Sequence, residues 1–134
     1  MIQMNNVVKK YPNGVVAANG ITVQIKKGEF VYVVGPSGAG KSTFIKLMYR
    51  EEKPTSGDVV INGINLRTLK NNRVPHLRRQ LGVVFQDFKL LPRLTVYENV
   101  AFAMEVIEEQ PKVIRKRVME VLELVGLKHK VRML

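Results

Sequence analysis

Residues 35–43 read Gly35-Pro36-Ser37-Gly38-Ala39-Gly40-Lys41-Ser42-Thr43, the Gly-x-x-x-x-Gly-Lys-Ser arrangement of a phosphate-binding (Walker A) loop. No other stretch restricts the fold as much, because such a loop connects a strand to the helix that it opens. Both neighbours are legible. Phe30-Val31-Tyr32-Val33-Val34 is a β-branched and aromatic run that predicts a buried parallel strand. Phe44-Ile45-Lys46-Leu47-Met48-Tyr49 contains no breaker and continues as helix. An α/β fold follows.

The physics of the loop sets its ligand class. Glycines at 35, 38 and 40 permit positive φ and close main-chain approach, so successive amides can converge on one anion. They lie at a helix N-terminus, where unpaired N–H groups and the helix dipole favour negative charge. Lys41 adds a mobile charge for β- and γ-phosphates, and the Ser42 hydroxyl suits Mg²⁺. Thr43 adds a hydroxyl near the α-phosphate. The bland alternative, a glycine-rich turn beside a lysine, does not require the strand and helix that flank this one. ATP or ADP with Mg²⁺ is the expected ligand.

Composition bounds the remainder. A chain of 134 residues, 46% hydrophobic, suits one modest globular domain. Its apolar runs are too short to span a bilayer, and the N-terminus lacks the basic-then-apolar pattern of a secretion signal. Without cysteine there is no disulfide framework. The formal charge of +11 admits phosphate or nucleic-acid binding, an anionic membrane surface, or separation from an acidic remainder. Lys and Arg are dispersed, however, and do not interleave with aromatics, so no nucleic-acid partner is expected.

Along the chain, Ile2 to Tyr11 predicts a strand that ends at the turn Tyr11-Pro12-Asn13-Gly14, and Val15 to Ile25 a second. Asp58 to Gly63 predicts a third, with Asn62-Gly63 as a hairpin turn. Pro75 opens a short helix in the basic segment 65–79, and Leu81-Gly82-Val83-Val84-Phe85 reads as another buried strand. Thr95-Val96-Tyr97-Glu98 is a capping box, after which Val96, Val100, Ala103, Met104 and Ile107 line one helical face. A further helix runs from Pro111 to just before Gly126, with Ile114, Val118, Val121, Leu122 and Val125 inward. Lys112, Arg115, Lys116 and Arg117 crowd its first turns, the wrong sign for the dipole; a solvated face is the simpler reading, anionic lipid or an acidic partner the other.

Together these residues resemble an ATP-binding cassette (ABC) ATPase, a P-loop NTPase, over essentially the whole chain. The resemblance implies the N-terminal portion of a nucleotide-binding domain: an antiparallel β-subdomain, the Walker A strand–loop–helix and the start of the helical subdomain. Residues 1–86 would be core and β-subdomain, and 87–134 the Q-loop and helical start. In such ATPases an aromatic at the position of Tyr11 stacks on adenine, which suits a flat ring. Gln86 falls where the family has its Q-loop glutamine, which reaches Mg²⁺ or the attacking water. The implied binding set is thus Tyr11, residues 35–43 and Gln86, with Ser42 and Gln86 on the metal and Lys41 and Gln86 taking part in catalysis.

Within the family, Tyr11 to Gly14, Tyr49 to Pro54, Gln86 to Leu91 and Thr95 to Val100 are most similar to the ATPases of bacterial cell division. That branch implies an integral membrane partner, a homodimer of the full-length ATPase, contact with division proteins, and a place on the cytoplasmic face of the plasma membrane at the septum. A short cytoplasmic helix of the partner would dock near Phe88, Leu90, Leu91, Pro92 and Val96. Lipoprotein or drug export, and a non-catalytic nucleotide-binding module, are the alternatives.

Several family elements are not found. There is no Leu-Ser-Gly-Gly-Gln signature, no D-loop, and neither His76 nor His129 has the context of a switch histidine. The aspartates are Asp58 and Asp87, and neither follows four apolar residues as a Walker B ligand does. The chain therefore reads as part of a longer domain that binds nucleotide without turning it over. An unfinished parallel core would leave an apolar edge prone to self-association.

Overall fold

The turn Tyr11-Pro12-Asn13-Gly14 brings β1 (Ile2–Lys10) back against β2 (Val16–Ile25), with the Tyr11 amide donating to the Val15 carbonyl at 2.8 Å. The computed structural model describes all residues from Met1 to Leu134. The chain divides into two compact units, Met1–Val83 and Val84–Leu134, each with its own core.

In the first unit β1 is central to a four-stranded sheet of order β2-β1-β3-β4, with every pairing antiparallel. β3 (Ser56–Ile61) turns into β4 (Ile64–Asn65) through Asn62-Gly63, whose φ values of 48° and 82° match the primed turn the dipeptide predicts. Opposite Gly57 the register of β1 slips between Asn5 and Val8, and Asn6 is left-handed at φ 48°. A Cβ on Gly57 would lie 2.3 Å from the Asn6 carbonyl oxygen, so the bulge and the glycine require each other.

One face of this sheet, through Met4, Val7, Val59 and Ile61, packs on Phe44 and Leu47 of α1 (Lys41–Met48). Leu66, and Leu77 from α2 (Val74–Arg78), complete the core. Full burial of one such side chain contributes roughly 1.5–3 kcal/mol. Packing through Phe44 and Leu47 therefore fixes the start of α1, and with it the preceding loop. Arg50, buried at φ 61°, donates to the carbonyls of Leu66 (2.8 Å) and Leu69 (3.3 Å) and ties the end of α1 to that segment.

The structure corrects two strand expectations. Phe30–Val34 and Leu81–Phe85 pair with no other strand, and Phe30, Tyr32, Val34 and Val84 are highly exposed instead of buried. Parallel strands are stable when flanked on both sides and covered on both faces. Here every paired strand is committed to the antiparallel sheet, so none flanks these segments.

The second unit is a helical pair, α3 (Val96–Val106) and α4 (Pro111–Leu124). Ala101 is buried against Ile114, Val118 and Leu122, with Val96, Val100 and Met104 packed around them. Ala103, Ile107 and Val125, expected inside, are exposed; the contact is narrower than the apolar stripes that the sequence offers. Pro111 opens α4, and Gly126 follows its end at φ 74°. Lys112, Arg115, Lys116 and Arg117 are all solvated, and Arg117 pairs with Glu120 at 3.3 Å.

Candidate functional site

The site in the first unit is built on the start of α1. Pro36 to Ala39 form a tight turn, with the Ala39 amide donating to the Pro36 carbonyl at 3.2 Å. Gly40 then caps the helix at φ 90°, ψ 8°, a left-handed conformation. A Cβ there would lie 1.9 Å from the Ala17 carbonyl oxygen on β2, so only glycine lets the loop pass the sheet so closely. Gly38 is also left-handed, at φ 80°. Gly35 does not share that conformation; it serves close approach, since its Cβ would lie 3.2 Å from that of Ala39.

The helix N-terminus so presented has no side-chain cap and no acidic residue in its first turn. The amides of Gly38, Gly40, Lys41, Ser42 and Thr43 find no acceptor within the protein, whereas the Phe44 amide closes the first helical bond on Gly40 at 2.9 Å. A run of donors without acceptors at a positive dipole end, with no carboxylate to compete, fits a bound phosphoryl group. Lys41 Nζ donates to the carbonyls of Gly35 at 2.6 Å and Pro36 at 2.7 Å, so the ammonium is folded across the same loop. Ser42 is exposed beside it. No group of three or more His, Cys, Asp or Glu side chains could hold a metal ion alone.

Tyr11 and Thr43, far apart in sequence, meet here. The Tyr11 hydroxyl and Thr43 Oγ1 are 3.0 Å apart, and Thr43 is buried. The Thr43 hydroxyl, expected near an α-phosphate, is thus engaged with the aromatic ring that the family resemblance assigns to adenine. Lys9 did not stand out in the sequence, yet its ammonium lies 5.0 Å from the centre of the Tyr11 ring. The signal was available in the i, i+2 spacing, which directs alternate side chains of a strand to one side.

Gln86 belongs to the second unit and lies on the exposed loop before α3. That loop is unusual: Phe88 and Lys89 are successive left-handed residues at φ 58° and 49°, and Lys89 Nζ pairs with Asp87 at 2.6 Å. The Lys89 bond holds the Asp87 carboxyl below its ordinary range. Phe88, Leu90 and Pro92, expected as walls for a partner helix, are exposed, while Val96 is half-buried. A separate cleft of about 340 Å³ in this unit, lined by Tyr97, Glu105, Glu109, Pro111, Ile114 and Arg115, contains none of the expected site residues.

Comparison with known proteins is consistent with this geometry. Residues 18–134 match the family described as ABC transporter. The chain is 70% identical over 98% of its length to the cell division ATP-binding protein FtsE of Bacillus subtilis (strain 168), covering 58% of that protein. It is 50% identical over 97% of its length to FtsE of Mycobacterium tuberculosis, covering 57% of it. The methionine import ATP-binding protein MetN of Helicobacter pylori (strain J99) is 45% identical over 98% of the chain, which covers 40% of that protein. The chain thus spans little more than half the length of the curated FtsE relatives it matches. Among solved structures, the ATP-binding cassette MJ0796, in a dimeric post-hydrolysis state bound to ADP and Pi, superposes with a TM-score of 0.89 at 35% identity. That match covers 98% of this chain and 60% of the other.

Proposed function

We propose, from the premise that this chain belongs to the ABC transporter family, that it is the nucleotide-binding portion of an FtsE-like ATPase subunit. Its loop at 35–43, with Tyr11, would hold ATP or ADP, and Ser42 would meet Mg²⁺ on the phosphates. Residues 1–86 would form the core and β-subdomain, and 87–134 the Q-loop and start of the helical subdomain. The full-length protein would act as a homodimer with an FtsX-type integral membrane protein on the cytoplasmic face of the plasma membrane. There it would couple ATP binding and hydrolysis to activation of cell-wall hydrolases by the division machinery at the septum.

One observation carries the cell-division reading: 70% identity to FtsE of B. subtilis across nearly the whole chain, against 45% to a methionine-import relative. Family membership supports nucleotide binding, and the uncapped, acid-free start of α1 supplies a phosphate site for it. No helix is long and apolar enough to cross a membrane. In the absence of a Walker B Asp-Glu pair and a signature run from these 134 residues, binding without appreciable turnover is the activity expected of them.

The test is affinity purification of the full-length protein from its own membranes. Recovery of an FtsX-type protein supports the assignment, and recovery of an export permease in its place overturns it. For the fragment, ADP should bind while phosphate release stays at background; turnover at rates typical of cassettes would sink the non-hydrolysing reading.

A further inference from the structure

The Lys9 side chain is largely enclosed, with only 14% of it exposed, and its ammonium has three partners. It pairs with Glu52 Oε2 at 2.7 Å, donates to the Lys53 carbonyl at 3.0 Å, and lies 5.0 Å from the Tyr11 ring centre. Glu52 and Lys53 come from the segment that leaves α1, so Lys9 bridges β1 to the far end of the helix whose start carries the loop. The Tyr11 main chain is fixed independently, its amide donating to Val15 and its carbonyl accepting from Gly14 at 2.9 Å. Its hydroxyl is held by Thr43 on the first turn of α1.

A tyrosine ring held at backbone, hydroxyl and one face retains little freedom about χ1 and χ2. The cation lies over one face, so the opposite face is the one on which a flat base would stack. An ammonium on the far side also strengthens the ring's grip on the ligand, because it orders the platform before binding and removes an ordering cost from the complex. Neither Lys9 nor Glu52 touches the phosphate loop, so their effect should appear in the base-dependent part of affinity alone.

We infer that Lys9, locked by Glu52, and Thr43, through its hydroxyl, are positioning residues that pre-set the Tyr11 ring as a one-faced platform for the nucleobase. The inference rests on the reading of Tyr11 as the base-stacking residue and adds how that ring is held and on which side it is open.

The experiment compares ADP with inorganic tripolyphosphate by titration calorimetry on the protein and its variants. Tyr11→Ala sets the frame: it should weaken ADP and leave tripolyphosphate unchanged. Lys9→Met should weaken ADP roughly threefold or more with tripolyphosphate unaffected, and Lys9→Arg should restore most of the loss. Glu52→Gln, which releases the ammonium without deleting it, gives a smaller loss in the same direction and serves if Lys9→Met does not fold. If Tyr11→Ala discriminates between the ligands but neither Lys9→Met nor Glu52→Gln does, the positioning role is wrong and the stacking role stands. If Tyr11→Ala does not discriminate either, both fall. Equal weakening of both ligands by Lys9→Met would mark a merely structural lysine and would also overturn the inference.

Discussion

Lys41 Nζ donates to the Gly35 carbonyl at 2.6 Å, closing the phosphate loop on itself through its own cation. A phosphoryl group entering the loop would draw the ammonium from neutral carbonyls to charged oxygens, a stronger class of bond. Replacing the side chain should therefore cost binding far more than folding. Lys41→Ala is expected to lower ADP affinity at least about tenfold, with stability within about 0.5 kcal/mol of the parent. Titration calorimetry and a thermal melt on one preparation check both halves. Unchanged affinity would remove the phosphate site from this loop.

Gly40 and Gly38 separate conformational cost from steric cost. Both are left-handed, but a Cβ at 40 would strike the Ala17 carbonyl oxygen at 1.9 Å while one at 38 meets nothing within 4 Å. Gly38→Ala should cost about 1 kcal/mol, from backbone strain alone. Gly40→Ala adds a collision with main chain that cannot yield, so a distinctly larger loss is expected, about 3 kcal/mol or more. Chemical denaturation of the two variants decides it; equal losses would mean that the loop simply moves away from β2.

What the sequence made legible follows from the range of each interaction. The Asn62-Gly63 turn, the Thr95–Glu98 box, and Pro111 with Gly126 around α4 obey rules that span a few residues, and each stands where those rules place it. The phosphate loop is legible for the same reason. Phe30–Val34 has the composition of a buried strand, but burial depends on neighbours supplied from elsewhere, and composition cannot provide them. The Tyr11–Thr43 contact joins the end of β1 to α1 across the tertiary fold, and no periodicity encodes it. Gly35 is a subtler case: its place in the motif was readable, but whether it serves φ or space was not.

The capping box on α3 makes that helix sensitive to acid. The Glu98 carboxylate accepts from the Thr95 amide at 2.7 Å and its hydroxyl at 2.8 Å, which holds the carboxyl below the ordinary glutamate range. A carboxyl whose folded value is depressed stabilises the fold above its ordinary value and loses that contribution as pH falls through the folded one. The stability gap between the parent and Glu98→Gln should thus be present at neutral pH and close on acidification. Thr95→Ala, which also removes the acceptor for the Glu98 amide at 3.2 Å, is expected to cost about 1 kcal/mol at neutral pH. Thermal melts across a pH series report both, and a gap for Glu98→Gln that ignores pH would contradict the assignment.

The unpaired run before the loop should govern the solution behaviour of the chain. Phe30, Tyr32 and Val34 are 82%, 79% and 86% exposed, and the first two rings meet edge-on at 5.0 Å, forming a small apolar ridge. Alternate positions of a five-residue β-prone segment thus face solvent with their main-chain groups outside any ladder. Pairing with the same segment of a second copy would satisfy those groups and bury the rings together. Concentration-dependent self-association is therefore expected, readable by sedimentation velocity over a broad range of loading. Phe30→Thr combined with Tyr32→Lys should shift the chain toward monomer, because a charge in the ridge opposes its pairing with a second copy. ADP affinity should change much less than association, since neither side chain belongs to the loop at 35–43 or to the Tyr11 platform. A parent chain that stays monomeric at every concentration would show that this edge is protected in a way its exposed side chains do not reveal.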